Sequence, residues 1–276
     1  QIYSTSTDPA LEGTALVGTA AQLDPAGAPV WGDFAITLVD HAMTTAATLF
    51  GNDYLAGGAG DDVIFGELGN DVIQGDGSID ATATGAGRVS AGRDATGLLQ
   101  VVPGAESLAT DGNDSIEGGG GSDVVFGGLG QDDIIGGSSD LFGLTTMSLR
   151  PDLGDLLFGG SGQHIARNDG TALHGADSDV IVGDNGRILR VVAVAGASTA
   201  YRTFTYDTYT GAGEKRLVPR AVTLLDYTIG GPDRRPDLFP GMTQALAAGS
   251  GVMTADVWGS DEIHAESGDD TMYAGG

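Results

Sequence analysis

The sequence contains no cysteine, so no disulfide staples its fold and no thiol is available as nucleophile or metal ligand. Positive charge is also scarce: 12 Lys and Arg stand against 38 Asp and Glu, a formal net charge of −26. That balance disfavours nucleic acid and anionic membranes as partners and favours cations or basic surfaces. No apolar run approaches the ~18 residues of a membrane span. Proline is rare, at 9 residues, while hydrophobic residues reach 41%, which argues against disorder. Even among the acids one type is missing, since 31 are Asp and only 7 are Glu. Aspartate is the shorter acid and reaches its own backbone in turns, so this bias places the charge in loops.

Glycine is present in excess, 48 of 276 residues, without the Gly-X-Y period of collagen. A fold so rich in glycine and free of cysteine calls for another staple, and a metal is the obvious candidate. The length admits one large domain or two smaller ones. The chain starts at Gln1 with neither initiator Met nor signal peptide and stops at Gly276 in mid-pattern, as expected of a piece of a longer or processed chain.

The glycines fall on a period of nine. In the frame G-G-x-G-x-D-x-U-x, with U aliphatic, residues 57–65 "GGAGDDVIF" fit fully, 66–74 "GELGNDVIQ" nearly so, and "GNDYLA" ends an earlier copy. A second block spans 111–137, and further copies surround Asp155, Asp179 and the chain end. Ten aspartates occupy the same slot: Asp53, Asp62, Asp71, Asp114, Asp123, Asp132, Asp155, Asp179, Asp261 and Asp270. His164 stands where another would belong. Each copy pairs a six-residue turn with a three-residue strand whose middle side chain points inward. The inward set is Leu55, Ile64, Ile73, Ile116, Val125, Ile134, Leu157, Ala166, Ile181, Ile263 and Met272. Two copies make a coil of 18 residues, and coils stacked every ~4.8 Å give an all-β parallel β-roll, a solenoid with two short parallel sheets around a thin aliphatic core.

Strand triplets such as "VIF", "VVF", "LLF", "VIV" and "TMY" are apolar on both faces, whereas "YLA", "VIQ", "SIE", "IAR" and "EIH" are mixed. The two sets are expected on opposite sheets, one covered by insertions or a neighbouring subunit and the other nearer solvent. Four stretches lack the period. Residues 1–47 are expected to form an N-terminal β segment packing on a roll of 48–186, which is itself interrupted at 77–108 and 138–152. Residues 187–258 read as a β-rich, basic and aromatic insertion, and 259–276 as closing repeats. Residues 187–235 hold 8 of the 12 basic residues, either as an internally paired or solvated face or as a dock for acidic loops. "GGPDRRPDLFPG" reads as a loop and "TQALAA" as a helical turn or two.

The repeat resembles the RTX, or haemolysin-type calcium-binding, nonapeptide family. The resemblance implies several Ca²⁺ ions, held by the ten slot aspartates. It also implies export of an unfolded chain, often by type I secretion, with folding on extracellular calcium at ~10⁻⁴–10⁻³ M. The chemistry agrees, because Ca²⁺ takes six to eight oxygen ligands and glycines let backbone carbonyls turn toward an ion without Cβ clashes. Loops on one side of a roll are 18 residues apart, so Asp53 with Asp71 and Asp114 with Asp132 should flank shared sites. Asp179, lacking such a partner, is as readily an Asx-turn residue, and Asp76 and Asp184 in "GDGS" and "GDNG" read as turn residues, with ligation the lesser alternative. His164 marks a lost site, since imidazole is a poor Ca²⁺ ligand.

Phosphate binding lacks a G-K-[ST] and would meet repelling acids. His41, His164, His174 and His264 form no H-E-x-x-H, and no G-x-S-x-G occurs, so the chain is not expected to be an enzyme. The reading is a calcium-binding structural segment of a large secreted bacterial surface protein, extracellular and self-assembling with neighbouring subunits or tandem domains, as in an S-layer, filament or adhesin. The alternatives are the calcium-binding module of a secreted exoenzyme or toxin, or a module binding cell-surface glycan through 187–258, including its Tyr201 to Tyr209 aromatics.

Overall fold

The computed structural model describes residues 36–79, 88–166, 176–195, 198–201, 217–226 and 261–275. Most of the 1–47 segment, both loop and helical-turn motifs of 230–248, His174 and the aromatics beyond Tyr201 lie outside them. The described residues are strand-rich, with a single 3-10 turn at Met147–Leu149.

The chain opens with β1 (Tyr54–Gly58), β2 (Val63–Phe65) and β3 (Val72–Asp76), followed by a hairpin of β4 (Ser90–Arg93) and β5 (Leu99–Val102). Five short strands come next: β6 (Ser115–Glu117), β7 (Val124–Phe126), β8 (Asp133–Ile135), β9 (Leu156–Phe158) and β10 (Val180–Val182). Then β11 (Gly186–Arg190), β12 (Val192–Ala195), β13 (Ser198–Tyr201) and β14 (Arg220–Leu224) pair antiparallel, β11 with β14 and β12 with β13. β15 (Glu262–His264) and β16 (Thr271–Tyr273) close the chain.

Two five-stranded parallel sheets organise the molecule, one in the order β1-β3-β7-β9-β15 and the other β2-β6-β8-β10-β16. The chain alternates between them strand by strand, across every insertion, giving five tiers of one strand per sheet. Register is in phase throughout: Ile73 pairs with Val125, Val125 with Leu157, Ile116 with Ile134, and Ile134 with Ile181. A three-residue strand has one inward side chain, so the core is one residue thick. Ile73, Ile116, Val125, Ile134, Leu157 and Ile181 are fully buried in a single cluster drawn from both sheets, with Leu55, Ile64 and Ile263 packed against it. Met272, also expected inward, is 50% exposed because its tier is the last and has a neighbour on one side only.

Two expectations are corrected. Ala166 lies in an exposed turn rather than in a strand. The triplets also do not segregate by sheet. "VVF" and "LLF" share a sheet with "YLA", "VIQ" and "EIH", because the chain changes sheet at every strand whatever its outer residues. Outer apolar residues instead mark where an insertion docks. The β4–β5 hairpin brings Val89, Ala91 and Val101 over Phe126 and Phe158, whose rings stack at 4.5 Å. The β11–β14 pair lays Ile188, Val222 and Leu224 over Ile135, Val180 and Val182 on the other sheet. Both sheets are therefore covered on part of their outer face, which double-sided apolar strands require.

Where it is described, the basic insertion pairs with residues of the stack and of insertion 138–152. Arg190 and Arg220 each direct Nε to the carboxylate of Asp133, at 2.7 and 2.8 Å, and Arg187 lies 3.5 Å from Asp140. Arg150 forks onto Asp226 through Nε at 2.9 Å and Nη2 at 2.8 Å, both side chains buried. His41 is buried between the Leu149 and Glu67 carbonyls, tying residues near 41 to the first tiers.

Candidate metal centre

The turn before each short strand ends in a slot aspartate, and stacking in register puts these side chains in line. All ten fall into two rows of five. In one, the backbone N–H of Asp53 donates to Oδ1 of Asp71 at 2.7 Å, Asp71 to Asp123 at 2.7 Å, Asp123 to Asp155 at 2.7 Å, and Asp155 to Asp261 at 3.0 Å. In the other, Asp62 donates to Asp114 at 2.8 Å, Asp114 to Asp132 at 2.7 Å, Asp132 to Asp179 at 2.8 Å, and Asp179 to Asp270 at 2.9 Å. The expected neighbours Asp53 with Asp71 and Asp114 with Asp132 stand on adjacent tiers. Asp179 also belongs to its row, through partners 47 residues before it and 91 after it.

Seven carboxylates are thereby split: Oδ1 of Asp71, Asp114, Asp123, Asp132, Asp155, Asp179 and Asp261 accepts a backbone N–H, while Oδ2 is buried with no hydrogen-bond partner, and Asp62 on the first tier shares the bare, buried Oδ2. Buried polar atoms are almost always satisfied, so eight equivalent exceptions in register form a pattern, not an accident. Each of these oxygens faces a glycine near the end of the preceding stack strand or just past it. A Cβ on Gly57, Gly66, Gly75, Gly118, Gly127, Gly136, Gly159 or Gly183 would come within 3.0 Å of one such Oδ2 and of a backbone carbonyl from the adjacent tier. Gly118, for example, faces Asp123 Oδ2 and the Gly136 carbonyl. The absent side chain leaves two oxygens converging on one spot.

Packed this closely away from water, these groups resist ionisation. Burial, the largest cause in each case, pushes the Asp71 and Asp261 carboxyls up to about 6, Asp123, Asp132 and Asp270 to about 7, and Asp114 to about 8. Burial raises Asp155 and Asp179 well above the carboxylate range, with added repulsion from Asp123 and Asp132 respectively. Asp62 is raised by the same cause. Asp53, on the first tier, is exposed.

The donor set is hard oxygen, carboxylate and carbonyl, as a calcium site requires. Among the described residues no three His, Cys, Asp or Glu side chains gather as a metal-binding group, so any cation here depends on backbone carbonyls to complete its shell. His164 stands apart from both rows. Its backbone N–H donates to Glu266 and its ring lies 3.7 Å from Glu106.

Six acids outside the slot are buried; Glu117 bonds to Ser139 and Asp133 to two arginines, and four others stand near the rows. Asp76 and Asp184, read as turn residues, are 4% and 3% exposed, and Asp152 and Asp177 are 1% and 2% exposed. Burial, reinforced by Asp114 and Asp132, lifts Asp76 to about 9, and burial with Asp132 and Asp270 does the same for Asp177. Asp76 and Asp184 replace a glycine at the second position of the nonapeptide, which is the one signal that marked them.

Among the described residues no helix is long and apolar enough to cross a membrane. No curated protein and no solved structure matches the chain. The family model of the RTX calcium-binding nonapeptide repeat matches it in four copies, within residues 49–80, 108–140 and 258–276. Asp155 and Asp179 lie outside those stretches yet occupy the fourth tier of each row.

Proposed function

From a chain that carries RTX repeats, which bind several Ca²⁺ ions per array, we propose a calcium-stapled structural segment of a secreted bacterial surface protein, of the kind that builds an S-layer, filament or adhesin outside the cell. The tiers are then coils of a parallel β-roll, formed by 48–186 and 259–276, with 1–47 packing on it and 187–258 inserted. The ten slot aspartates are the carboxylate ligands. The observation that supports this best is the set of eight buried Oδ2 atoms without partners, each set against a glycine and a carbonyl of the next tier. Calcium supplies the positive charge that the rows lack, and the chain's own contribution is to hold paired oxygens in register. Metal binding then becomes folding free energy. The docked insertions favour a building block over a plain secretion tail, which would need the repeats alone.

Asp123→Ala and Asp62→Ala test the ligand assignment. Each should raise the calcium concentration at the midpoint of folding by several-fold, the buried Asp123 more than the half-exposed Asp62. Midpoints unchanged in both variants would reduce these loops to plain turns.

A further inference from the structure

Two acids outside the nine-residue slot share the geometry of the slot aspartates. Asp76 ends β3, where insertion 77–108 leaves the stack, and Asp152 ends insertion 138–152, just before Asp155. Each carboxylate is split, Asp76 toward another loop as in the rows and Asp152 within its own loop. Asp76 Oδ1 accepts the Gly112 N–H at 3.1 Å, and Asp152 Oδ1 accepts the Leu153 N–H at 2.9 Å. In both, Oδ2 is buried and unpartnered. In both, that atom faces the second glycine of a neighbouring loop: a Cβ on Gly128 would come within 3.0 Å of Asp76 Oδ2, and one on Gly137 within 3.0 Å of Asp152 Oδ2. The adjacent glycines, Gly127 and Gly136, are those facing Asp132 and Asp155. Each junction acid therefore stands next to a slot carboxylate, one in each row.

We propose that Asp76 and Asp152 are additional calcium ligands, through which the ions of the stack also clamp the insertions at their junctions. This rests on the calcium reading above and extends it to two positions outside the aspartate slot. A buried carboxylate aimed at other carboxylates, with an oxygen left unsatisfied, is costly unless a cation is shared. A turn-forming aspartate would spend both oxygens on its own loop, as Asp94 does in an exposed turn: its Oδ1 accepts the N–H groups of Thr96 and Leu98 and its Oδ2 accepts Gln100 Nε2, whereas Oδ2 of both Asp76 and Asp152 is buried without a partner. Asp76 Oδ1 instead reaches Gly112, 36 residues away, and its Oδ2 reaches no donor.

The test uses the full chain with Asp76→Asn, Asp152→Asn and, as control, Asp94→Asn. Calcium binding is followed by calorimetry, and the junctions by amide hydrogen exchange at saturating Ca²⁺. Asparagine keeps the shape and the Oδ1 acceptor while removing a buried charge, so a purely structural role predicts wild-type calcium binding. The ligand role predicts at least a tenfold loss of affinity for one ion in each variant. Exchange should rise in 138–151 for Asp152→Asn and in 88–111 for Asp76→Asn, with Asp94→Asn unchanged. A variant unfolded at the usual calcium level but restored by more calcium supports the proposal; one that no calcium restores overturns it. Wild-type isotherms in both junction variants would overturn the proposal alone, whereas a wild-type chain that binds no calcium would overturn the calcium reading itself.

Discussion

The stack and its insertions handle buried charge in opposite ways. Where an insertion docks, charge meets charge within the chain: Arg190 and Arg220 close on Asp133, and Arg150 closes on Asp226. In the stack, like charges are lined up, and eight carboxylates each keep an oxygen with no hydrogen-bond partner. The cost is not small. Asp132 is fully buried, and raising its carboxyl from 3.8 to about 7 corresponds to roughly 4 kcal/mol at neutral pH, a large share of the ~5–15 kcal/mol that stabilises a domain. The docked insertions carry their charges to counter-charges elsewhere in the chain, whereas the stack sets carboxylate against carboxylate.

That contrast is open to attack from both sides. The largest effect is expected from Asp133→Ala, which strands two buried guanidinium groups and should lower stability by about 3–5 kcal/mol. Because its partners are arginines, the loss should appear as a reduced denaturant midpoint at every saturating calcium concentration. Ile134→Ala removes a fully buried side chain from a core one residue thick. It should cost ~2–5 kcal/mol, again without calcium rescue of the unfolding free energy at saturation.

Acidity should separate the two regions. The slot carboxyls have folded-state values of about 6 to 8 against an ordinary 3.8, so the metal-free fold binds more protons than the unfolded chain. Its stability is fully present below about pH 4 and is lost as pH rises through 6 to 8. Acidifying the chelated protein from pH 7.5 to 4 should therefore recover β-strand circular dichroism, and no recovery would contradict the buried-carboxylate account. The smallest effect belongs to Asp53→Ala. Asp53 is exposed on the end tier, so its loss should shift the calcium midpoint far less than that of Asp123.

The sequence revealed the stack where structure follows a local period. The ten slot aspartates stand in two rows, and Ile73, Ile116, Val125, Ile134, Leu157 and Ile181 form the core, because a fixed nonapeptide returns the same side chain to the same place. Properties set by distant segments were harder to read. Phe126 and Phe158 face outward on the sheet that also carries mixed triplets, and only the docking of a hairpin some 30 to 60 residues earlier explains them. The copy anticipated around His164 and Ala166 is absent. A histidine cannot offer the split carboxylate that takes an N–H on one oxygen and leaves the other free, and Ala166 lies in an exposed turn. Asp76 and Asp152 look like ordinary loop acids until stacking buries them against glycines more than ten residues away.

The central claim is that an external cation completes the carboxylate rows, and circular dichroism across a calcium titration tests it most directly. The account predicts little β-strand signal in excess chelator at pH 7.5 and cooperative recovery of that signal as Ca²⁺ rises toward millimolar concentration, with the signal lost again when chelator is restored. A chain equally folded in chelator and in millimolar Ca²⁺ would contradict it.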